Sequence, residues 1–150
     1  MKYIFILLVL PLFTFAQADK TVVSNSQWLT NYEAAITTAE SADKNVLIYF
    51  TGSDWCPPCK MLKTDLFDSA SFSALSSEYV LLYIDIPMNT SLLSAEQLQH
   101  NKELSSKLNK KGSVPLIKVL NKQGRELGMY AGYSMNGDTS KHMELLQKHK

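Results

Sequence analysis

The only two cysteines of the chain stand three residues apart in the segment 55–60, Trp-Cys-Pro-Pro-Cys-Lys. An apolar run, 46–50, precedes this segment, and a helix-like run, 61–67, follows it. The pair should therefore lie in the first turn of a helix that begins just after a strand. Cysteines with this spacing share one helix face, so their sulfur atoms can join. The pattern predicts reversible thiol–disulfide chemistry.

The two cysteines are expected to have different roles. Cys56 would sit at the helix N-terminus, where unpaired N–H groups and the helix dipole favour a thiolate. We therefore predict that Cys56 is an accessible nucleophile. Cys59, one turn further in, would be the buried resolving thiol that releases a captured substrate. Pro57 and Pro58 fall where a helix leaves its N–H groups unpaired, so their missing donors cost little and their rings stiffen the turn.

Three other interpretations of the cysteine pair compete with this one. A structural disulfide is disfavoured because so short a loop adds little stability through chain entropy. A zinc site usually needs four ligands, whereas there is no second cysteine pair and His100, His142 and His149 are far along the chain. A pair of inert buried thiols is disfavoured by the prolines and by Trp55 beside them. We expect neither a metal nor another cofactor.

Residues 1–18 have the pattern of a secretory signal peptide. Lys2 supplies the positive start, residues 3–15 are apolar, and residues 16–18, Ala-Gln-Ala, form a small-x-small cleavage site. The apolar run of about 13 residues is shorter than the roughly 20 that span a bilayer. We therefore favour cleavage after Ala18 over an uncleaved membrane anchor.

Residues 19–150 are long enough for one domain with one core. Without Lys2, the 15 lysines and arginines fall to 14, which equals the 14 aspartates and glutamates. This neutrality argues against nucleic acid or a charged membrane surface as a partner.

Strand-like segments alternate with helical ones. The segments 46–51 and 79–86 are apolar on both faces, as strands in the middle of a covered sheet would be. The segments 116–120 and 126–131 flank a glycine-containing turn and predict a hairpin. A short edge strand is also expected at 21–23.

Helical patterns fill the intervals between the strands. The first helix should begin with a capping box at Thr30. A long helix should begin at Ser94, and Glu103 and Lys107 should form an ion pair on it. Other helices follow Cys59 and end the chain. The order predicts an α/β fold with a mixed sheet of four to five strands and helices on both faces.

This arrangement resembles the thioredoxin family, and within it the secreted bacterial thioredoxin-like proteins. The resemblance rests on the segment 55–60, on Val114-Pro115, and on Gly132 after the last strand. It implies a thioredoxin fold in which Pro115 is cis and packs opposite the cysteines, while the backbone of Val114 binds the substrate strand. Trp55, Pro57 and Pro58 would complete the substrate-binding surface.

Two positions depart from the family pattern. Many thioredoxins carry an acid where this chain has Tyr49, and the lysine often paired with that acid is replaced by Leu81. The buried proton acceptor for Cys59 is therefore missing, and its proton would pass to water or to Asp54. The interval 86–113 is also longer than in a minimal thioredoxin.

The resemblance thus implies a periplasmic thiol–disulfide oxidoreductase that acts on protein cysteines. A reductant is favoured over an oxidant, because strong oxidants of the family carry a histidine at the position of Pro58. Its partners would be proteins with thiols or disulfides and a membrane-embedded electron donor, and the protein would be a monomer. Two alternatives remain: a non-catalytic binding or chaperone module, and a copper carrier that uses both thiols and a methionine.

Overall fold

The computed structural model describes residues 28–150, which contain five α-helices and four strands. In chain order they are α1 (Tyr32–Ala42), β1 (Asn45–Thr51), α2 (Pro57–Leu62), α3 (Ala70–Ser76), β2 (Tyr79–Asp85), α4 (Ala95–Leu108), β3 (Leu116–Leu120), β4 (Glu126–Ala131) and α5 (Ser140–Lys148). A π-helical turn, Lys63–Phe67, extends α2, and a 3-10 turn, Thr90–Leu92, precedes α4. The predicted signal peptide and edge strand lie outside the described residues.

The four strands form one mixed sheet in the order β2-β1-β3-β4. Strand β1 pairs in parallel with β2, and the intervening helices α2 and α3 make the crossover between them. Strand β3 runs antiparallel to both β1 and β4. The predicted mixed sheet and the hairpin 116–131 are therefore confirmed.

Strand β1 is buried on both faces, which explains its unbroken apolar sequence. Leu47 and Tyr49 belong to a core cluster that also contains residues of α3 and α5. Val46, Ile48 and Phe50 point to the opposite side, where they join the cluster that contains residues of α1 and α4. Helices therefore cover both faces of the sheet, as predicted, and β1 lies at the centre of the molecule.

An aromatic cluster occupies the first of these faces. The rings of Tyr49 and Phe67 have centroids 4.6 Å apart, and those of Phe67 and Phe72 are 5.0 Å apart. Trp28 packs edge-on against Phe67 at 5.1 Å. Tyr83 contacts Tyr49 from β2 at 5.9 Å. Since Phe67 ends the π-helical turn, this cluster fixes the chain that follows the two cysteines.

Two predicted local interactions differ from the observed ones. Asn31, not Thr30, caps α1, because its side chain accepts the N–H of Ala34 at 2.8 Å. Glu103 accepts a hydrogen bond from Gln99 at 2.7 Å, and no ion pair joins it to Lys107 in the described part of the chain. No helix within residues 28–150 has the length and apolar character needed to cross a bilayer.

Candidate active site

The two cysteines lie where β1 passes into α2. After β1 the chain turns, and the N–H of Cys56 donates to the carbonyl of Gly52 at 2.9 Å. Cys56 is the N-cap of α2, and Pro57 and Pro58 occupy its first two positions. The N–H of Cys59 donates to the sulfur of Cys56 at 3.2 Å. The position predicted for the pair, at the start of a helix after a central strand, is thus observed.

Cys56 and Cys59 form a disulfide, with their Cα atoms 5.3 Å apart. Cys56 is 3% exposed and Cys59 is 1% exposed, and both belong to the core cluster below the helix. The prediction of an accessible Cys56 is therefore wrong for this disulfide form. The leading sulfur is turned inward, towards its partner and the N–H that it accepts, and Val114 packs against the same cluster.

The segment before β3 lies against the cluster that holds the cysteines. The Val114–Pro115 peptide bond is cis, Pro115 is buried and Val114 is half-buried. The carbonyl of Pro115 accepts the N–H of Gly132 at 2.8 Å, so the ends of β3 and β4 are joined there. Val114 packs against the core cluster that contains Cys59, so two segments about 55 residues apart in the sequence meet at this end of the sheet.

A histidine from α5, His142, contacts the chain just after β4. His142 is 2% exposed, and its Nε2 lies 3.1 Å from the carbonyl of Gly132. A carbonyl only accepts hydrogen bonds, so Nε2 carries the proton. Its Nδ1 is buried without a partner among the described residues. Burial lowers the pKa of His142, which keeps the ring neutral.

Trp55 forms part of the surface beside the disulfide. Its side chain is 42% exposed, and its indole N–H donates to the carbonyl of Ile86 at 2.8 Å. Its ring also lies over Gly52, where a Cβ atom would come within 2.4 Å of the indole. Glycine is therefore required at position 52 for the ring to take this place.

Asp54 joins two loops. Its carboxylate accepts the N–H groups of Met88 and Asn89 at 3.0 and 2.7 Å. These two hydrogen bonds lower the pKa of the Asp54 carboxyl, and the bond from Asn89 has the larger effect. A carboxylate that is satisfied in this way is a weak base, so the geometry does not favour Asp54 as the proton acceptor for Cys59.

Tyr49 occupies the position where the resemblance places an acid. It is 2% exposed, and its hydroxyl donates to the carbonyl of Cys59 at 2.9 Å. Burial raises the pKa of Tyr49 to about 12. Its neighbour across the sheet is Tyr83, whose pKa burial likewise raises to about 12. Tyr49 therefore holds the helix in place and stays protonated near neutral pH.

We expect the Tyr49→Phe variant to lose about 1 kcal/mol of stability, because the Cys59 carbonyl loses a buried donor. The pH dependence of disulfide reduction between about pH 6 and pH 9 should not change, since a phenol with a pKa near 12 does not titrate there. Urea unfolding and stopped-flow rates measure the two effects. Tyr83→Phe is the matched control. A pH profile altered by Tyr49→Phe alone would identify Tyr49 as the proton acceptor.

Sequence reasoning missed several residues that organise the site. Asp85, at the end of β2, is 5% exposed and accepts hydrogen bonds from the N–H and the hydroxyl of Ser53, at 2.9 and 2.5 Å. The hydroxyl of Tyr133 donates to the carboxylate of Asp65 in the π-helical turn. For Asp85, the one sign in the sequence was an acid at the end of an interior strand. No local pattern identifies Ser53 as the residue that it binds.

The sheet order and the Cys-x-x-Cys disulfide at the start of the second helix are those of a thioredoxin-like protein. The family model described as thioredoxin-like matches residues 27–122. The chain therefore belongs to the thioredoxin-like family, and the predicted family is confirmed.

Two bacterial proteins are similar in sequence. The disulfide bond reductase DsbH of Chlamydia pneumoniae is 26% identical over 112 residues, which cover 74% of this chain and 66% of that protein. The thioredoxin-related protein DsbJ of the same organism is 25% identical over 123 residues, 81% of this chain and 35% of its own. The chain thus spans about two thirds of the first relative and about one third of the second.

Solved structures show the same fold. The structure titled DsbH Oxidoreductase superposes with a TM-score of 0.66 at 25% identity, covering 81% of this chain and 84% of its own. A thioredoxin from Thermus thermophilus superposes with a TM-score of 0.59 at 18% identity, covering 82% and 86%. The predicted α/β thioredoxin fold is confirmed by these neighbours.

Proposed function

We propose that this protein is a thiol–disulfide oxidoreductase that reduces disulfides of other proteins. The observation that carries the proposal is the Cys56–Cys59 disulfide at the N-terminus of α2, in a core cluster against which Val114 packs. A bond that closes so short a loop contributes little to stability, which supports a chemical role over a structural one.

The reaction begins from the reduced pair. The Cys56 thiolate attacks one sulfur of a substrate disulfide, forming a mixed disulfide and releasing the other substrate sulfur as a thiolate. Cys59 then loses its proton and attacks the Cys56 sulfur, which forms the bond seen here and frees the second substrate thiol. Two electrons pass to the substrate, which takes up two protons. In the disulfide form the N–H of Cys59 donates to the Cys56 sulfur at 3.2 Å. After reduction, the unpaired N–H groups and the dipole at this helix N-terminus would favour a thiolate on Cys56.

The substrate strand would bind along Val114. Neither its N–H nor its carbonyl takes part in a hydrogen bond within residues 28–150, so both are free to pair with an extended segment. Trp55 and Pro57 are exposed beside the disulfide, and Pro58 is half-buried. These side chains would form the surface that the substrate covers, and the buried Pro115 would support it from below.

Reduction, rather than oxidation, fits the dipeptide between the cysteines. Pro58 stands where strong oxidants of the family carry a histidine, and it offers no charge or donor to a thiolate. A reductant must be reduced again after each cycle, and we assign this to a membrane-embedded electron donor. The protein would act as a monomer in the periplasm, with residues 1–18 removed as a signal peptide and residues 19–150 as the working domain.

The proposal is tested by trapping substrates on Cys56. The Cys59→Ala variant lacks the resolving thiol, so mixed disulfides should accumulate when it is expressed with its own residues 1–18. We expect envelope proteins linked to Cys56 that are released by a reductant and identified by mass spectrometry. The same sample shows whether the recovered chain begins at Asp19.

The matched control is the double variant Cys56→Ala/Cys59→Ala, which has no thiol because the chain has only two cysteines. Its fold is checked by far-ultraviolet circular dichroism. Adducts that persist in the double variant, or none with Cys59→Ala, would contradict the assignment of Cys56 as nucleophile. A recovered chain that still carries residues 1–18 would contradict the assigned cleavage.

A further inference from the structure

A groove of about 560 Å³ lies between the end of α4 and the β3–β4 hairpin. We call it the lysine groove. One wall carries Lys107, Lys110 and Lys111, and Leu116 and Met129 line it from the hairpin. All three lysines lie in the interval 86–113, which the resemblance to thioredoxins predicts to be longer than in a minimal member of the family.

The groove has an unbalanced positive charge. Its three wall lysines are exposed, and none of them forms an ion pair within the part of the chain that the structure describes. A fourth lysine, Lys118, is buried in β3 with its side chain 7% exposed, and it pairs with Glu126 at 2.7 Å. Glu126 is the only acidic residue that lines the groove within the described chain, and Lys118 already neutralises it. The wall lysines are thus free to meet carboxylates of a partner.

The groove also has apolar lining residues, among them Leu116 and Met129, beside the polar Asn109 and Ser113. Leu116 is 2% exposed, whereas Met129 is 52% exposed. Methionine is flexible and polarisable, and exposed methionines suit surfaces that receive varied apolar groups. The groove therefore fits a segment that combines an apolar side chain with acidic ones.

The groove begins where the substrate strand is expected to bind. Ser113 lines it and directly precedes Val114, and Ala131 lines it and directly precedes Gly132. The N–H of Gly132 donates to the carbonyl of Pro115 at 2.8 Å. The groove and the Val114–Pro115 segment therefore lie at the same end of the sheet, where β3 begins and β4 ends. An extended chain that pairs with Val114 can continue into the groove.

We propose that the lysine groove binds an acidic segment of the substrate protein next to the disulfide that Cys56 attacks. This inference rests on the proposed disulfide reduction and names its substrate class. The wall lysines pair with the substrate carboxylates, and Leu116 and Met129 receive an apolar side chain between them. Substrates with such a segment are reduced faster than those without it.

The test compares two peptides with the same mixed disulfide to a fluorescent thiol. In the first, Asp, Leu and Glu lie about two to four residues from the cysteine on each side, which is roughly 7–13 Å along an extended chain. In the second, Asn, Leu and Gln replace them. The reduced protein should show a kcat/KM about tenfold higher for the acidic peptide at low salt, and the preference should vanish at high salt.

The variant Lys107→Gln/Lys110→Gln/Lys111→Gln should lose this preference while reducing the neutral peptide at the original rate. The matched control is Lys102→Gln/Lys148→Gln/Lys150→Gln, which removes the same charge from exposed positions outside the groove. It should keep most of the preference for the acidic peptide. Equal rates on both peptides, or an equal loss in both variants, would refute the groove while leaving disulfide reduction intact. Failure to reduce either peptide would refute the proposed function itself.

Discussion

The Cys56→Ser variant should reduce the disulfides of insulin about a thousandfold more slowly than the unmodified protein, or not at all. A serine hydroxyl does not ionise near neutral pH and cannot form the mixed disulfide, so the first step has no nucleophile. The fold should persist, because the lost disulfide closes a loop with a sequence separation of only three residues. The measurements are turbidity of reduced insulin and far-ultraviolet circular dichroism.

The companion variant Cys59→Ser separates the two roles. It keeps the attacking sulfur, so it should release one substrate thiol in a single turnover and then stop as a mixed disulfide. If Cys56→Ser reduced insulin at the original rate, the cysteines would be incidental and the chain would be a binding module with this fold. If Cys59→Ser turned over freely, Cys59 would not be the resolving thiol.

The Phe72→Ala variant should lose about 3–5 kcal/mol of its free energy of unfolding. Phe72 is 1% exposed, lies edge-on to Phe67 with their ring centroids 5.0 Å apart, and stacks on Trp28 at 6.3 Å. Truncation removes these contacts and leaves a cavity below the π-helical turn that follows the cysteines. Urea unfolding, followed by tryptophan fluorescence, measures the loss.

Phe72→Leu is the matched control, because it keeps most of the buried volume and should cost less than about 1.5 kcal/mol. A similar small loss for Phe72→Ala would mean that the aromatic cluster collapses around the gap. In that case the cluster would not hold the π-helical turn rigidly, and its proposed support of the site would be wrong.

The burial of Cys56 shows how tertiary packing changes a local prediction. The position of Cys56 at a helix N-terminus follows from its place after an apolar strand and before two prolines. Its 3% exposure does not follow from these features, because it depends on the core below α2 and on Val114 from a distant segment. Capture of a substrate by Cys56 therefore needs that sulfur to turn outward after the disulfide opens.

Asp54 and Tyr49 make the same point for the proton acceptor. The sequence identified Asp54 as the acid near the cysteines but could not place Met88 and Asn89 against its carboxylate. It showed that Tyr49 replaces an acid but not that its hydroxyl reaches the carbonyl of Cys59. Because Asp54 already accepts two N–H groups and Tyr49 stays protonated, we propose water, the other acceptor that the sequence allowed, for the Cys59 proton.

The sequence by itself determined the redox pair, the order of helices and strands, and the mixed sheet. These features depend on residues that are close together in the sequence. They are two cysteines in one helical turn, apolar runs in buried strands, and turn residues between β3 and β4. Only the tertiary structure decided what surrounds the pair, including the Asp85–Ser53 contact, the support of Gly132 by His142, and the lysine groove. Such contacts join residues far apart in the chain, and their partners depend on how the helices pack on the sheet, which no local pattern of residues encodes.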